Sequence, residues 1–226
     1  MAHSFRDVLR SHTTYTFREA VRGLPEAIKA SRRHHAALKK ARHFANQTEL
    51  KLHIGCGAIV KPGWINIDLL SDKANLQLDV RETWPFADKS ASIVYSEHFF
   101  EHLGYPDEAR IFLRESWRVL TLGGVLSMGI PDFERSVRAY VMGDEDYYRH
   151  QRDEHPPAWI TTRMDYLNRD FREDGQHKYA YDFPTLKKVL AEGGFVSIVR
   201  RAFDASLDSP QREWGTLYVE ARKGAV

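Results

Sequence analysis

The chain has 226 residues, of which 42% are hydrophobic and 28% charged, a balance that suits one α/β domain with extensions or two small domains. No run of eighteen apolar residues occurs, which excludes a helix that spans a membrane, and the opening M-A-H-S-F-R-D lacks the apolar centre of a secretory signal, so a cytoplasmic protein is expected. A lone cysteine, Cys56, excludes an internal disulfide and any zinc site built on several cysteines.

The net charge of +2 is unevenly placed. Residues 1–46 carry ten Lys/Arg against Asp7, Glu19 and Glu26, a net of +7 that leaves −5 on the remaining 180 residues. Such an arm could track the phosphates of a nucleic acid or an anionic membrane surface. The plainer reading is a solvated helical extension that covers the core or mediates a homodimer, because runs of charge usually form wet faces. Within the arm Phe5, Val8 and Leu9, then Leu24, Ala27 and Ile28, recur at helical spacing about Gly23-Leu24-Pro25, which predicts two helices joined near Gly23.

At Leu50 the texture changes, and residues 47–226 read as one domain. Short apolar runs alternate with helical stretches: Leu50–Ile54, Trp64–Asp68, Leu76–Val80, Ala91–Ser96, Gly124–Ile130, Phe195–Phe203 and Trp214–Glu220. Helices are predicted over Pro106–Leu120, with Asp107 and Glu108 in the first turn, and over Pro184–Glu192, which ends at Gly193-Gly194. Seven strands alternating with helices predict a Rossmann-like, mostly parallel sheet covered on both faces. Residues 133–181 break the alternation. They are rich in Tyr, Arg, Asp and His and follow the fifth strand, where ligands bind in open α/β sheets, so they read as a substrate-covering insertion or as a flap with its own small core.

The sharpest local signal is K-L-H-I-G-C-G from Lys51 to Gly57: an apolar strand enters Gly-x-Gly, a tight turn that lets backbone approach a ligand. Asp68 ends the next strand, where a carboxylate can accept both ribose hydroxyls. Asp79 ends a third apolar stretch and suits an adenine amino group. The third glycine of G-x-G-x-x-G is replaced by Val60, which argues against a dinucleotide dehydrogenase.

With K-P-G-W-I-N-I-D-L, W-P-F-A-D-K-S-A-S-I-V-Y-S-E-H-F-F-E-H-L and L-R-E-S-W-R-V-L-T-L-G-G-V-L-S-M-G-I-P-D, the chain resembles the class I S-adenosylmethionine-dependent methyltransferases, in particular the small type-11-like group. The resemblance covers residues 50–132 closely, 183–222 loosely and 1–46 not at all. It implies the class I methyltransferase fold and S-adenosylmethionine as cofactor. It further implies Gly55, Cys56 and Gly57 against the methionine part, Asp68 and Leu69 at the ribose, Asp79 and Val80 at the adenine, and Ser96 and Glu97 on the sulfonium side. Two departures stand out: His53 replaces the acid common in the first strand, and Gly57–Trp64, with Pro62-Gly63, is too short for the usual first helix.

His98-Phe99-Phe100-Glu101-His102 also reads as the inverted zinc-peptidase pattern H-x-x-E-H. Related methyltransferases often carry Glu-His after the fourth strand, so the stretch is read as a helical face lining the transfer cleft, and no metal is assigned. Glu101 and His102 are then candidates to meet the acceptor. Methylation of a hydroxyl needs a base, and His177 at the end of the insertion is the first candidate, His102 the second, with Asp132 to orient either or to bind substrate. The insertion suits a saccharide or other small-molecule acceptor, such as a glycosylated natural product. RNA methylation using the basic arm, methylation of a lipid, and an inactive subunit of a larger complex are the alternatives.

Overall fold

The computed structural model describes residues 13–154 and 156–225. Six strands form one sheet: β1 Leu50–Ile54, β2 Ile65–Ile67, β3 Ala91–Glu97, β4 Leu120–Pro131, β5 Phe195–Arg200 and β6 Thr216–Lys223. Their order is β2-β1-β3-β4-β6-β5. The first four run parallel, and β6 is antiparallel to both neighbours. Central parallel strands have both faces covered and so read as nearly unbroken apolar runs. Leu52, Ile54, Ile67, Val94, Leu126 and Met128 join Phe112 and Leu113 of helix α2 (Asp107–Val119) and Leu186 and Leu190 of helix α6 (Phe183–Glu192) in one core. Asp182 starts α6 by accepting the peptide N–H of Thr185 at 2.8 Å.

The expected strand at Leu76–Val80 does not form. Only Leu76 bridges to Ile67. β2 is three residues long, and beyond Leu76 the peptide N–H of Asp79 donates to His34 Nδ1 at 3.2 Å, so the segment bonds to a helix and leaves the sheet. The two expected N-terminal helices are likewise one, α1 (Tyr15–Ala41), with Pro25 inside it. Thr14 caps it at the Phe17 N–H, and Ala37 and Ala41 are buried against the domain core. The carbonyl that Pro25 deprives of a partner belongs to Val21, a half-exposed residue. Phe5, Val8 and Leu9 lie outside the described residues.

After β4 the chain builds helices α3 (Phe133–Met142), α4 (Glu145–Asp153) and α5 (Arg163–Arg172). Ala139, Tyr147, Tyr148, Ile160 and Tyr166 make a second small core, with Trp214 packed on it. Asp170 of α5 accepts the Ser136 hydroxyl at 2.7 Å, which ties α5 to α3. Among the described residues no helix is long and apolar enough to cross a membrane.

His53 is buried on β1 beside Tyr95 and bonded through Nδ1 to Asn66 Oδ1 at 3.0 Å. The Lys61 N–H also donates to that oxygen, while the amide nitrogen of Asn66 donates to the carbonyls of Lys61 and Trp64, so His53 Nδ1 must carry the proton. Burial pulls the imidazole pKa down to about 4. Above pH 6.5 the group is neutral folded or unfolded. As the pH falls from there toward 4, only the unfolded chain takes up the proton, and stability falls. The expected loss through His53 is about 3 kcal/mol. Urea denaturation at pH 7 and 4.5 should show the wild-type advantage over His53→Gln shrinking by that order, and an unchanged difference would contradict it.

Candidate active site

The carboxyl ends of β1 and β2 open into a cavity of about 430 Å³. Leaving β1, Gly55 turns with φ 68°, and a side chain there would overlap the Phe99 ring, so both the turn and the close packing require glycine. Asp68 at the end of β2 then organises the turn that follows. Its Oδ2 accepts the Gly57 N–H at 3.0 Å, and its Oδ1 accepts those of Leu70 and Ser71 at 2.8 Å each. A carboxylate offers about four lone-pair sites, so one remains for a ligand.

Gly55, Asp68, Leu69, Asp79 and Val80 all reach the cavity wall, together with Ile67, Leu78, Phe99, His102 and Leu103. Asp79 is held by Arg81 in a two-pronged pair at 2.8 and 2.7 Å. The wall also contains Glu26, Ala27 and Ala30 of α1, so the N-terminal arm is part of the site.

Other expected residues sit elsewhere. Cys56 and Gly57 flank the wall residue Gly55 without lining the cavity themselves, and burial pushes the Cys56 thiol up to about 12. Ser96 is fully buried with an unpartnered hydroxyl. Glu97 is spent on structure: Oε1 accepts the Ser209 N–H at 3.1 Å and the Tyr218 hydroxyl at 3.3 Å, with Arg212 3.7 Å from Oε2. Asp132 caps α3 through the Arg135 N–H at 3.2 Å and borders a separate hollow with Arg135, Arg138 and Arg200.

Glu101, His102 and His177 converge. Backbone makes the junction: the Glu101 carbonyl accepts the N–H groups of Lys178 at 2.8 Å and Tyr179 at 3.3 Å, which sets the end of the 133–181 segment against the short turn Phe100–His102. The two imidazoles meet edge to face, 5.1 Å between centroids, and each Nε2 stands 4.0 Å from Glu101 Oε1. Glu101 is completely buried, neither carboxyl oxygen has a hydrogen-bond partner, and burial raises its pKa to about 8.

A fourth member, Glu173, was not singled out from the sequence. Its Oε2 lies 2.9 Å from His177 Nε2 and 3.7 Å from His102 Nε2. It stands at φ 37°, followed by Asp174 at 53° and Gly175 at 88°, and this left-handed turn places Glu173 beside His177. The readable signal was the Asp-Gly turn dipeptide between a carboxylate and a histidine four residues apart. Burial works to lower the His177 pKa, but the bond to Glu173, the Asp170 carbonyl and the Glu101 charge outweigh it and hold it above the ordinary value. His102, which burial and the nearby His177 disfavour as a cation, is lowered. His98 takes no part: with φ 51° it turns to Thr216, whose hydroxyl lies 2.8 Å from Nε2, so the pairing of His98 with His102 read from H-x-x-E-H does not arise.

The family described as "Methyltransferase domain" matches residues 33–128, from the last turns of α1 through β4. Among solved structures the chain is similar to a S-adenosylmethionine-dependent methyltransferase from Archaeoglobus fulgidus (19% identity, 92% of this chain and 99% of that one, TM-score 0.49). It is also similar to one from Thermotoga maritima (15%, 92% and 95%, TM-score 0.45). A third likeness is to a phosphoethanolamine N-methyltransferase of Haemonchus contortus bound to S-adenosylhomocysteine (11%, 82% and 52%, TM-score 0.47). No curated protein matches. The family match, 96 of the 226 residues, falls on the strands and turns that build the cavity and supports a S-adenosylmethionine-dependent methyltransferase.

Proposed function

We infer that this methyltransferase acts on a hydroxyl oxygen of a small polar acceptor, a saccharide or glycosylated natural product, held where the cofactor cavity meets the Glu101–His102–His177–Glu173 cluster. The observation that carries this reading is His102, which lies both on the cavity wall and in the cluster. S-adenosylmethionine supplies the electrophilic methyl group. A hydroxyl becomes a competent nucleophile only as its proton leaves, and the His177–Glu173 pair is the polar group positioned to accept that proton beside the cavity.

The residues present fit the cofactor. Glycine at 55 keeps the turn free of a side chain, Asp68 retains one acceptor site for a ribose hydroxyl, and Leu78, Val80 and Leu103 offer an apolar slot beside Asp79 for adenine. The place of Glu26, Ala27 and Ala30 in the wall supports α1 as a cover of this site over a separate nucleic-acid arm.

Three measurements test these assignments. Calorimetry with S-adenosylhomocysteine should show Asp68→Ala weakened by about 10- to 100-fold, one charge-assisted hydrogen bond at about 1.5–3 kcal/mol. Asp68→Asn, which retains an acceptor for the turn, should lose less, and full affinity in both would remove Asp68 from the site. Ala30→Trp should fill the cavity from α1 and weaken the same ligand about tenfold or more, roughly 1.4 kcal/mol, at unchanged melting temperature; native affinity would take α1 out of the site. His177→Ala should lower kcat on hydroxyl acceptors by about 10²–10⁴ while leaving S-adenosylhomocysteine affinity nearly intact. Native turnover in that variant would transfer the proton-accepting role away from the His177–Glu173 pair.

A further inference from the structure

We propose that Glu101, His102, His177 and Glu173 form a binding site for a divalent first-row transition-metal ion, of which zinc fits best. The inference rests on the reading above only for its consequence, the activation of a hydroxyl; the binding itself stands on the geometry of the four side chains.

The first argument is spacing. A tetrahedral zinc with bonds of about 2.0–2.1 Å separates its ligand atoms by roughly 3.3 Å. Here the four nitrogen–oxygen edges are 2.9 Å (His177 Nε2 to Glu173 Oε2), 3.7 Å (His102 Nε2 to Glu173 Oε2) and 4.0 Å (Glu101 Oε1 to each Nε2). Each of these four edges comes within range by side-chain movements of under about 1 Å.

The second argument is the unsatisfied carboxyl. Glu101 is fully buried, and neither oxygen has a hydrogen-bond partner. Buried carboxyl groups that lack partners are costly and rare, whereas those that bind a cation are common. The missing partner of Glu101 lies on the side where two imidazole nitrogens and the Glu173 carboxylate also face.

The third argument is the support behind the ligands. His177 Nδ1 donates to the Asp170 carbonyl at 2.6 Å, which fixes the tautomer and leaves the Nε2 lone pair directed at the cluster. Asp170 is itself held by Ser136 and Tyr147. Metal-binding histidines are typically oriented by a second hydrogen bond of this kind. Two imidazoles and two carboxylates neutralise a divalent ion, and this nitrogen–oxygen set favours zinc, cobalt or manganese over magnesium.

Glu173 is half-exposed, His102 is 27% exposed, and His177 and Glu101 are nearly or fully buried, which makes Glu173 the most exchangeable member. Glu101, His102 and His177 then match the His₂Glu set of catalytic zinc sites, with the fourth position open to an acceptor oxygen. In the loaded enzyme the ion takes the lone pair of His177 Nε2. With an ion held there, the Glu173 carboxylate, free of the ion, would take the proton of an acceptor hydroxyl as its O–H bond breaks.

The test is metal binding by the full chain in the absence of cofactor and acceptor. After treatment with a chelator, the protein should take up one Zn²⁺, measured by competition with a chromophoric chelator, and Co²⁺ should give the intense visible absorption of a four-coordinate site. Glu101→Gln and His177→Gln should weaken Zn²⁺ by about 100-fold or more. Glu173→Gln, at a half-exposed position that tolerates the change, should weaken it about tenfold. His98→Gln, outside the cluster, should bind as the wild type does. Absence of stoichiometric Zn²⁺, or affinity indifferent to Glu101→Gln, His177→Gln and Glu173→Gln alike, would overturn the site. Zinc binding without methylation of hydroxyl acceptors would leave the site standing and remove the acceptor reading; methylation that proceeds unchanged in a protein without measurable zinc affinity would do the reverse.

Discussion

The carbonyl oxygen of Glu101 carries much of this architecture. By accepting the peptide N–H groups of Lys178 and Tyr179 it fastens the segment after the three-helix excursion to the turn that leaves β3. Tyr181, two residues further on, is buried in the main core beside Phe100, so apolar packing supports the same junction. Without this junction His177 would have no fixed relation to His102, and the Glu101 carboxyl would open to solvent. The site is therefore built between two folding units: a turn at the sheet edge, and a segment whose position depends on a second small core.

The same edge is completed from the other direction by α1. Ala37 and Ala41, small residues on one face, let its last turns pack closely on the domain, and His34 accepts the peptide N–H of Asp79. The earlier turns then lie over the cavity with Ala27 and Ala30 facing it. Among the described residues of the arm, the positive charge is borne largely by exposed side chains. A basic extension and a wall of the cofactor cavity are two faces of one helix.

Where the 202–215 stretch packs on β3, the buried charged groups are paired. Arg201 and Asp208 form a two-pronged ion pair, Asp208 also accepts the Tyr95 hydroxyl at 3.1 Å, and Glu97 receives Ser209 and Tyr218. This network fixes the 202–215 stretch against β3. Breaking such a pair from one side costs about 3–5 kcal/mol, because it strands a buried charge. The pairing of these charges contrasts with the unpartnered carboxyl of Glu101.

The strands, the Gly55 turn and the acidic ends at Asp68 and Asp79 were legible in the sequence because they depend on local physics: apolar runs, a left-handed φ that glycine tolerates, and carboxylates after short strands. The supposed strand at Leu76–Val80 shows where this reasoning stops, for its apolar pattern was real but its N–H partner was supplied by His34, more than forty residues away. A sequence window cannot say which competitor wins a peptide N–H. His177 and His102 could be named as chemistry-bearing residues, yet nothing in their spacing, seventy-five residues, joined them to each other or to Glu101. Nor could the strand-end position of Glu97 reveal that Ser209 and Tyr218 would claim its carboxylate. Which polar groups the chain contains was determined by the sequence alone; which of them were left with partners, and which were brought together without, was decided only when distant segments packed and water was excluded from between them.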